Sequence, residues 1–170
     1  SAASDVYKRQ GLEIDSWEVG MQNWTSGFEG EFCERTGYDL IKYLPAMTGK
    51  IVGSKEMTER FLWDIRRVQA DLLADNYYGE FRNLCNQYGL VSYCEPYDRG
   101  PMEELQIGSR VDGVMGEFWN GLSAIFQNNL MMRRTTKLAS SIAHINGQKV
   151  VGAEAYTCLL YTSDAADDLT

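Results

Sequence analysis

The sequence predicts an α/β protein built as a partial (β/α)₈ barrel of about four consecutive βα units. Short apolar runs alternate with stretches of helical periodicity, which is typical of parallel α/β folds. Each run carries a glutamate at or near its end, and the C-terminal ends of parallel strands open on one side of a sheet. No GxGxxG loop follows any run, which disfavours the alternative of a doubly wound sheet. The predicted strands cover residues 12–18, 90–97, 114–119 and 150–156.

Helices are expected between these strands. The first region is one shorter helix or two turns, and it stops at Pro45. Ser54 can cap a long second helix, whose apolar face repeats about every 3.6 residues until Gly89 ends it, with Gly79 as a candidate kink. The last helix ends at Asn146 and Gly147, before the fourth strand. The expected helical regions are 28–44, 55–88, 101–110 and 122–145.

Both ends of the chain are expected to be non-native. Residues 1–10 can be encoded by a DNA element whose reverse complement encodes residues 158–166. This is the pattern expected when a sequencing adaptor is translated at each end of the chain. Residues 1–10 and 158–170 are therefore set apart, and 11–157 are expected to be an internal slice of a longer protein. Alone, these residues are expected to be marginally stable and inactive, since missing barrel strands leave two open sheet edges.

Composition limits the classes of partner. The formal net charge is −8, and it becomes −6 without the two basic and four acidic residues of the ends. Such a surface disfavours nucleic acid and anionic membranes and permits neutral sugars or cations. No apolar run approaches the roughly 18 residues of a membrane span. Cys33, Cys85 and Cys94 lack CxxC spacing and are expected to be small buried side chains, and the single histidine, His144, argues against triad chemistry.

The glutamates of the four runs are the candidate functional residues. Alternation along an extended strand puts Glu18 on one face with Leu12, Ile14 and Ser16, and the same reasoning applies to the other runs. If that face lines a barrel, four acids converge. Carboxylates so close cannot all stay ionised, so either one is held protonated or a cation binds among them. These outcomes suit acid–base glycoside hydrolysis and calcium binding, respectively. The four acids are Glu18, Glu95, Glu117 and Glu154.

Aromatic residues beside the acids suit the apolar faces of sugar rings, although core packing accounts for each one about as well. Asn23 begins a glycosylation sequon, but a role in the loop after Glu18 is the better interpretation of that short match. The aromatic residues are Trp17, Trp24, Tyr97, Phe118, Trp119 and Tyr156.

Several groups of residues together carry a family resemblance. They are DSWEVG at 15–20 with QNWT at 22–25, GYDL at 37–40 with YLP at 43–45, QADLLA at 69–74 with NYY at 76–78, EPY at 95–97, GEFW at 116–119 and VGAEAYT at 151–157. At these positions the sequence resembles glycoside hydrolase family 106, the α-L-rhamnosidases. The resemblance covers essentially all of 11–157.

The resemblance implies an inverting glycosidase on a (β/α)₈ barrel, with a Ca²⁺ ion that contacts rhamnose hydroxyls. It implies that the first strand here is the fourth of the barrel and the last is the seventh. It matches Glu18 to the general acid, Glu154 to the general base, and Glu117 and Glu95 to metal-side carboxylates. A rhamnose-containing oligosaccharide or glycoside is the implied partner, in a periplasmic or secreted bacterial parent. Substrate contacts are expected from Asp15, Asn23, Trp24, Tyr97, Trp119 and Tyr156.

Two alternatives stay open at this point. A retaining glycosidase of another sugar specificity would hold its carboxyl groups about 5–5.5 Å apart, against roughly 6.5–9.5 Å for an inverting pair. The second alternative is a non-catalytic module that binds carbohydrate or calcium.

Overall fold

The computed structural model describes residues 11–21, 24–118 and 129–155, and these contain a four-stranded parallel sheet. The strands lie side by side in chain order, as predicted, and the sheet curls as half of a barrel. Ile14 pairs with Cys94, and Glu117 pairs with Glu154. The predicted fold class is therefore confirmed. The strands are β1 (Gly11–Ile14), β2 (Val91–Cys94), β3 (Gly113–Phe118) and β4 (Gly152–Ala155).

The first strand is shorter than the sequence predicts. β1 ends at Ile14, whose carbonyl accepts the Glu95 N–H at 3.0 Å. The next contact to the neighbouring segment is the Trp17 N–H to the Tyr97 carbonyl, at 3.1 Å. The prediction that extended strand continues to Glu18 was wrong, because only this one bond continues the ladder beyond Ile14.

Helical segments fill the connections between the strands. The connection between β1 and β2 is long because it contains three helices, a 3₁₀ segment and a π turn. One short helix precedes β3 and one long helix precedes β4. The segments are α1 (Phe28–Thr36), the 3₁₀ segment (Ile41–Thr48), α2 (Lys55–Leu73), the π turn (Ala74–Gly79), α3 (Glu80–Gln87), α4 (Glu104–Gly108) and α5 (Asn129–Ile145).

Local chemistry explains most of these boundaries. The Ser54 hydroxyl accepts the Met57 N–H at 3.1 Å, which confirms the predicted cap of α2. Gly89 follows α3 with φ of 69°, a conformation that favours glycine. The irregularity expected at Gly79 takes the form of the π turn. Pro45 lies inside the 3₁₀ segment rather than ending the helix, since the fixed φ of proline is compatible with a tight helical turn.

Two apolar clusters hold the helices in place. One lies between the sheet and the helices and includes Tyr78, Cys94, Ile107, Val114 and Ile142. The other lies among α1, the 3₁₀ segment and α2, where Phe32 and Phe61 are almost fully buried. Cys85 and Cys94 are buried as expected, whereas Cys33 is exposed on α1. Among the described helices, none is long and apolar enough to cross a membrane.

The opposite face of the sheet is built around Tyr93 and Met115. A Cβ atom at Gly113 would lie 2.4 Å from the Tyr93 ring, and one at Gly152 would lie 2.4 Å from the Met115 side chain. Glycine is therefore needed at both positions. Gly116 faces the helices instead, where a Cβ atom would meet the backbone of Thr136 at 2.8 Å. α5 thus packs directly on β3, which fixes the strand that carries Glu117.

Candidate active site

Glu95 is the most deeply buried of the candidate acids. It follows the last residue of β2 and is 1% exposed. Neither of its carboxylate oxygens has a partner in hydrogen-bonding geometry among the described residues. Burial raises the pKa of Glu95 to about 8, and the neighbouring charges of Asp15 and Glu117 act in the same direction, against the Tyr97 hydroxyl. At neutral pH such an acid is either protonated, or it is ionised and a bound cation compensates its charge.

Glu117 and Glu154 lie opposite each other on adjacent strands. Thr135 of α5 holds the backbone of Glu117, since its hydroxyl lies 3.2 Å from the Glu117 N–H and 3.0 Å from its carbonyl. Burial raises the pKa of Glu117, and the charge of Glu154 is the next cause. The cross-strand register therefore places two carboxylates side by side on one rim.

Asp15 completes a compact group of oxygens. Asp15, Glu95 and Glu154 each offer one carboxylate oxygen, and these atoms lie within 4.8 Å of one another. The three residues come from the ends of β1 and β2 and from β4. Three carboxylate oxygens at this spacing could hold a metal ion. The buried, unpartnered oxygens of Glu95 are suited to such a role.

On β1, the face that carries acids differs from the predicted one. Ile14 packs into the cluster beneath the helices, whereas Glu13 and Asp15 line a pocket of about 330 Å³ with Met115 and Glu154. The prediction that Leu12 and Ile14 share the acid face was therefore wrong. Burial raises the pKa of Glu13, and the charges of Asp15 and Glu154 add to the effect. The alternation of Glu13 and Asp15 with Ile14 could have revealed this face.

Glu18 reaches the rim through a loop instead of a strand. It is exposed, and its charge contributes to the raised pKa of Glu117 after those of Glu154 and Asp15. Trp17 anchors this loop, because its indole N–H donates to the Gly20 carbonyl at 2.7 Å. Its ring also packs closely on Gly100, because a Cβ atom at that position would lie only 2.5 Å from the ring. The tryptophan thus ties the Glu18 loop to the loop after β2.

That second loop contributes an acid that the sequence did not single out. Asp98 has φ of 97°, a conformation that is strained for a residue other than glycine, and its charge is among those that raise the pKa of Glu117. Such strain is often kept where it positions a functional group. No periodicity or spacing marks Asp98, so the sequence offered no signal.

Comparisons with known proteins identify the family of this chain. A family model described as alpha-L-rhamnosidase, that of glycoside hydrolase family 106, matches residues 2–166. The chain belongs to this family. The family resemblance found in the sequence is thereby confirmed.

Individual relatives place the chain within much longer proteins. It is 50% identical over 144 residues to a Formosa agariphila protein named "Putative beta-glucuronidase", covering 85% of this chain and 12% of that protein. Its fold matches a rhamnosidase from Novosphingobium sp. PP1Y with a TM-score of 0.72 and 33% identity, covering 86% of this chain and 14% of that one. The chain therefore spans about one eighth of the length of each.

The predicted substrate contacts have different positions in this family member. Asp15 lies in the acid group, and Tyr97 lies beneath it, 2% exposed, with a hydroxyl that has no partner in the described structure. Trp24 lies elsewhere, half exposed, with its ring edge-on to Phe28 at 5.8 Å between centroids. It lines a second and larger groove of about 940 Å³. The contacts predicted from Asn23, Trp119 and Tyr156 lie outside the described residues.

Proposed function

We propose that this chain is part of the catalytic barrel of an inverting, calcium-dependent α-L-rhamnosidase that releases terminal rhamnose from a glycoside. The observation that carries the proposal is the convergence of acids from four neighbouring strands and two loops on one rim, in a chain of the rhamnosidase family. Acid–base hydrolysis of a glycoside needs two carboxyl groups close to the scissile bond, and this rim supplies several.

Two glutamates are assigned to the chemistry. Glu18, on its anchored loop, would protonate the leaving oxygen, and Glu154 would take a proton from the attacking water on the other face of the sugar. In an inverting enzyme their carboxyl groups lie roughly 6.5–9.5 Å apart, which leaves room for the water. The anchoring of Trp17 supports the first assignment, since a general acid must be held at a defined position.

The metal is assigned first to Glu95. Its two buried oxygens lack partners in the described structure, and Asp15 is the neighbour that best completes the site. Glu117, matched to the metal by resemblance, and Glu154 are the remaining candidates. A bound calcium ion would orient sugar hydroxyls and offset the mutual repulsion of the acids. Because Glu154 lies within the same group of oxygens, its role as base or as ligand needs a direct test.

The first prediction separates acid from base in the complete protein. Glu18→Gln should slow α-L-rhamnosides with poor leaving groups far more than activated aryl rhamnosides, because only poor leaving groups need protonation. Glu154→Gln should slow both, by roughly 10²–10⁴-fold. Steady-state kinetics on the two substrate types measure this, and Glu59→Gln, on the exposed surface of α2, is the matched control. Equal losses on both substrates in Glu18→Gln would remove Glu18 from the acid role.

The second prediction concerns calcium. Adding Ca²⁺ after chelation should restore activity, and Glu95→Gln should weaken calcium binding by roughly 10–100-fold or more. Titration calorimetry on the same variants assigns Glu154, since a base leaves calcium affinity unchanged when replaced by glutamine, whereas a ligand weakens it. Full activity in excess chelator would contradict the calcium dependence.

A β-glucuronidase activity is the second candidate, because the Formosa agariphila relative carries that name. A glucuronide brings a carboxylate to a rim that already holds several acids, so repulsion disfavours it unless a cation is bound. Assaying aryl α-L-rhamnoside and aryl β-D-glucuronide side by side decides between the two candidates. Hydrolysis of the glucuronide alone would overturn the rhamnosidase proposal.

A further inference from the structure

A groove of about 940 Å³ lies outside the acid cluster. Its walls come from the segment before α1, the 3₁₀ segment, the end of α2, the π turn and Pro101. The volume falls within the roughly 300–1,000 Å³ that is typical of small-molecule sites. None of the acids assigned to the chemistry lines it.

The lining of the groove is mostly apolar, and it also includes two exposed aromatic rings and two amides. The rings of Trp24 and Tyr77 are 49% and 46% exposed, and the amides of Gln69 and Asn76 lie among them. Of the described residues that line the groove, Glu31 alone is charged, and it pairs with Arg35 at 3.5 Å. Rings for apolar faces and amides for hydroxyls suit a neutral sugar better than an ionic ligand.

Trp17 connects the groove to the loop that carries Glu18, because it contacts residues at the edge of the groove. Its ring meets the ring of Tyr77 edge-on, with 6.1 Å between centroids, and it packs on Gly100, next to Pro101 of the groove. Glu18, the proposed acid, is the next residue in the chain. The groove therefore borders the loop that carries Glu18.

The π turn explains how Tyr77 comes to lie in the groove. Within this turn Ala74 and Tyr78 are fully buried in the core, while Asn76 and Tyr77 face outward. A π turn is uncommon, and such turns are frequent at functional sites because the extra residue redirects side chains. Here the redirected side chains are the two that contribute a ring and an amide to the groove.

We infer that this groove binds the sugar residue on the leaving-group side of the scissile bond, with Tyr77 and Asn76 as specificity-determining residues. The inference rests on the proposed function, since it takes Glu18 to mark the scissile bond. The occupant is a neutral pyranose joined to the released rhamnose. Its ring lies against the aromatic side chains, and its hydroxyls bond to the amides.

The test compares two substrates of the complete protein. α-L-Rhamnosyl fluoride has no sugar to place in the groove, whereas an α-L-rhamnosyl-glucose disaccharide has one. Tyr77→Ala and Asn76→Ala should each raise KM for the disaccharide, Tyr77→Ala by about tenfold, and leave kinetics on the fluoride within about twofold. Tyr77→Phe should retain most of the affinity, because the ring is kept. Tyr88→Ala, at a 79% exposed tyrosine beyond α3, is the matched control.

Each other outcome contradicts the inference in a recognisable way. Equal losses on both substrates would mean that Tyr77 acts through Trp17 on the catalytic loop instead of binding a sugar. Unchanged kinetics on both would mean that the groove holds no part of the substrate. If the unmodified protein cleaves neither substrate, the proposed function fails and this inference fails with it.

Discussion

Two carboxylates at opposite ends of β2 have opposite environments. Asp112, just before β3, accepts hydrogen bonds from the Ser92 N–H at 3.1 Å, the Ser92 hydroxyl at 2.9 Å and the Arg82 side chain at 2.7 Å. Although burial acts in the other direction, these donors hold the pKa of Asp112 below its usual value. Glu95, at the other end of the strand, is more deeply buried, and the Tyr97 hydroxyl beside it lies outside hydrogen-bonding geometry.

We propose that the difference separates a carboxylate that stabilises the fold, Asp112, from one that takes part in the chemistry, Glu95. A buried acid with donors is satisfied in its charged form, so it strengthens the structure that supplies them. A buried acid without donors costs stability and needs another explanation, such as a ligand or a proton-transfer role. In a barrel the C-terminal rim carries the chemistry and the opposite rim carries stability, and the proposed roles of the two acids follow that division.

The largest expected effect comes from neutralising each acid in turn. Glu95→Gln should lower the activity of the complete protein by roughly 10–100-fold or more, as expected for a metal ligand, without lowering stability. Asp112→Asn should leave kcat unchanged and lower the free energy of unfolding by about 1–3 kcal/mol, because it weakens a charged network. Kinetics and denaturant unfolding of both variants measure this. The division between the two rims would fail if Asp112→Asn reduced kcat as strongly as Glu95→Gln.

The next effect is a pH dependence of opposite sign at the two acids. Glu95 has a raised pKa of about 8 against an ordinary value of 4.5. Between these values the folded state holds a proton that the unfolded state has lost, so stability falls as pH rises, by up to about 1.4 kcal/mol per pH unit. The lowered pKa of Asp112 has the reverse effect, and its stabilisation is lost only as pH falls below its ordinary value of 3.8.

Urea unfolding of the chain at pH 5, 6, 7 and 8, with a chelator present, measures this dependence. The unfolding midpoint should fall with rising pH, and the fall should be smaller in Glu95→Gln. Part of it should remain, because Glu13 and Glu117 also have raised pKa values. An equally steep fall in Glu95→Gln would show that the carboxylate of Glu95 is solvated or paired in solution.

Much of this arrangement could be predicted from the sequence, because it depends on local patterns. Parallel strands in chain order follow from alternating runs and helices, and three of the rim glutamates follow from the positions of strand ends. The face of β1 was mispredicted because alternation holds only while the chain is extended, and the strand stops at Ile14. The contrast between the two acids was not readable either, since Ser92 and Arg82 lie 20 and 30 residues from Asp112 in the chain.

The smallest expected effect compares one hydroxyl from each end of β2. The Ser92 hydroxyl donates to Asp112 at 2.9 Å, so Ser92→Ala should lower the free energy of unfolding by about 0.5–1.5 kcal/mol. The Tyr97 hydroxyl is buried beside Glu95 but has no partner in hydrogen-bonding geometry in the described part of the chain, so Tyr97→Phe should leave stability within about 0.5 kcal/mol or raise it. Denaturant unfolding of the two variants beside the unmodified chain measures both changes. A loss in Tyr97→Phe as large as that in Ser92→Ala would mean that Tyr97 is hydrogen-bonded in solution. Both ends of the strand would then have hydrogen-bonded polar groups, and they would differ only in the strength of those bonds.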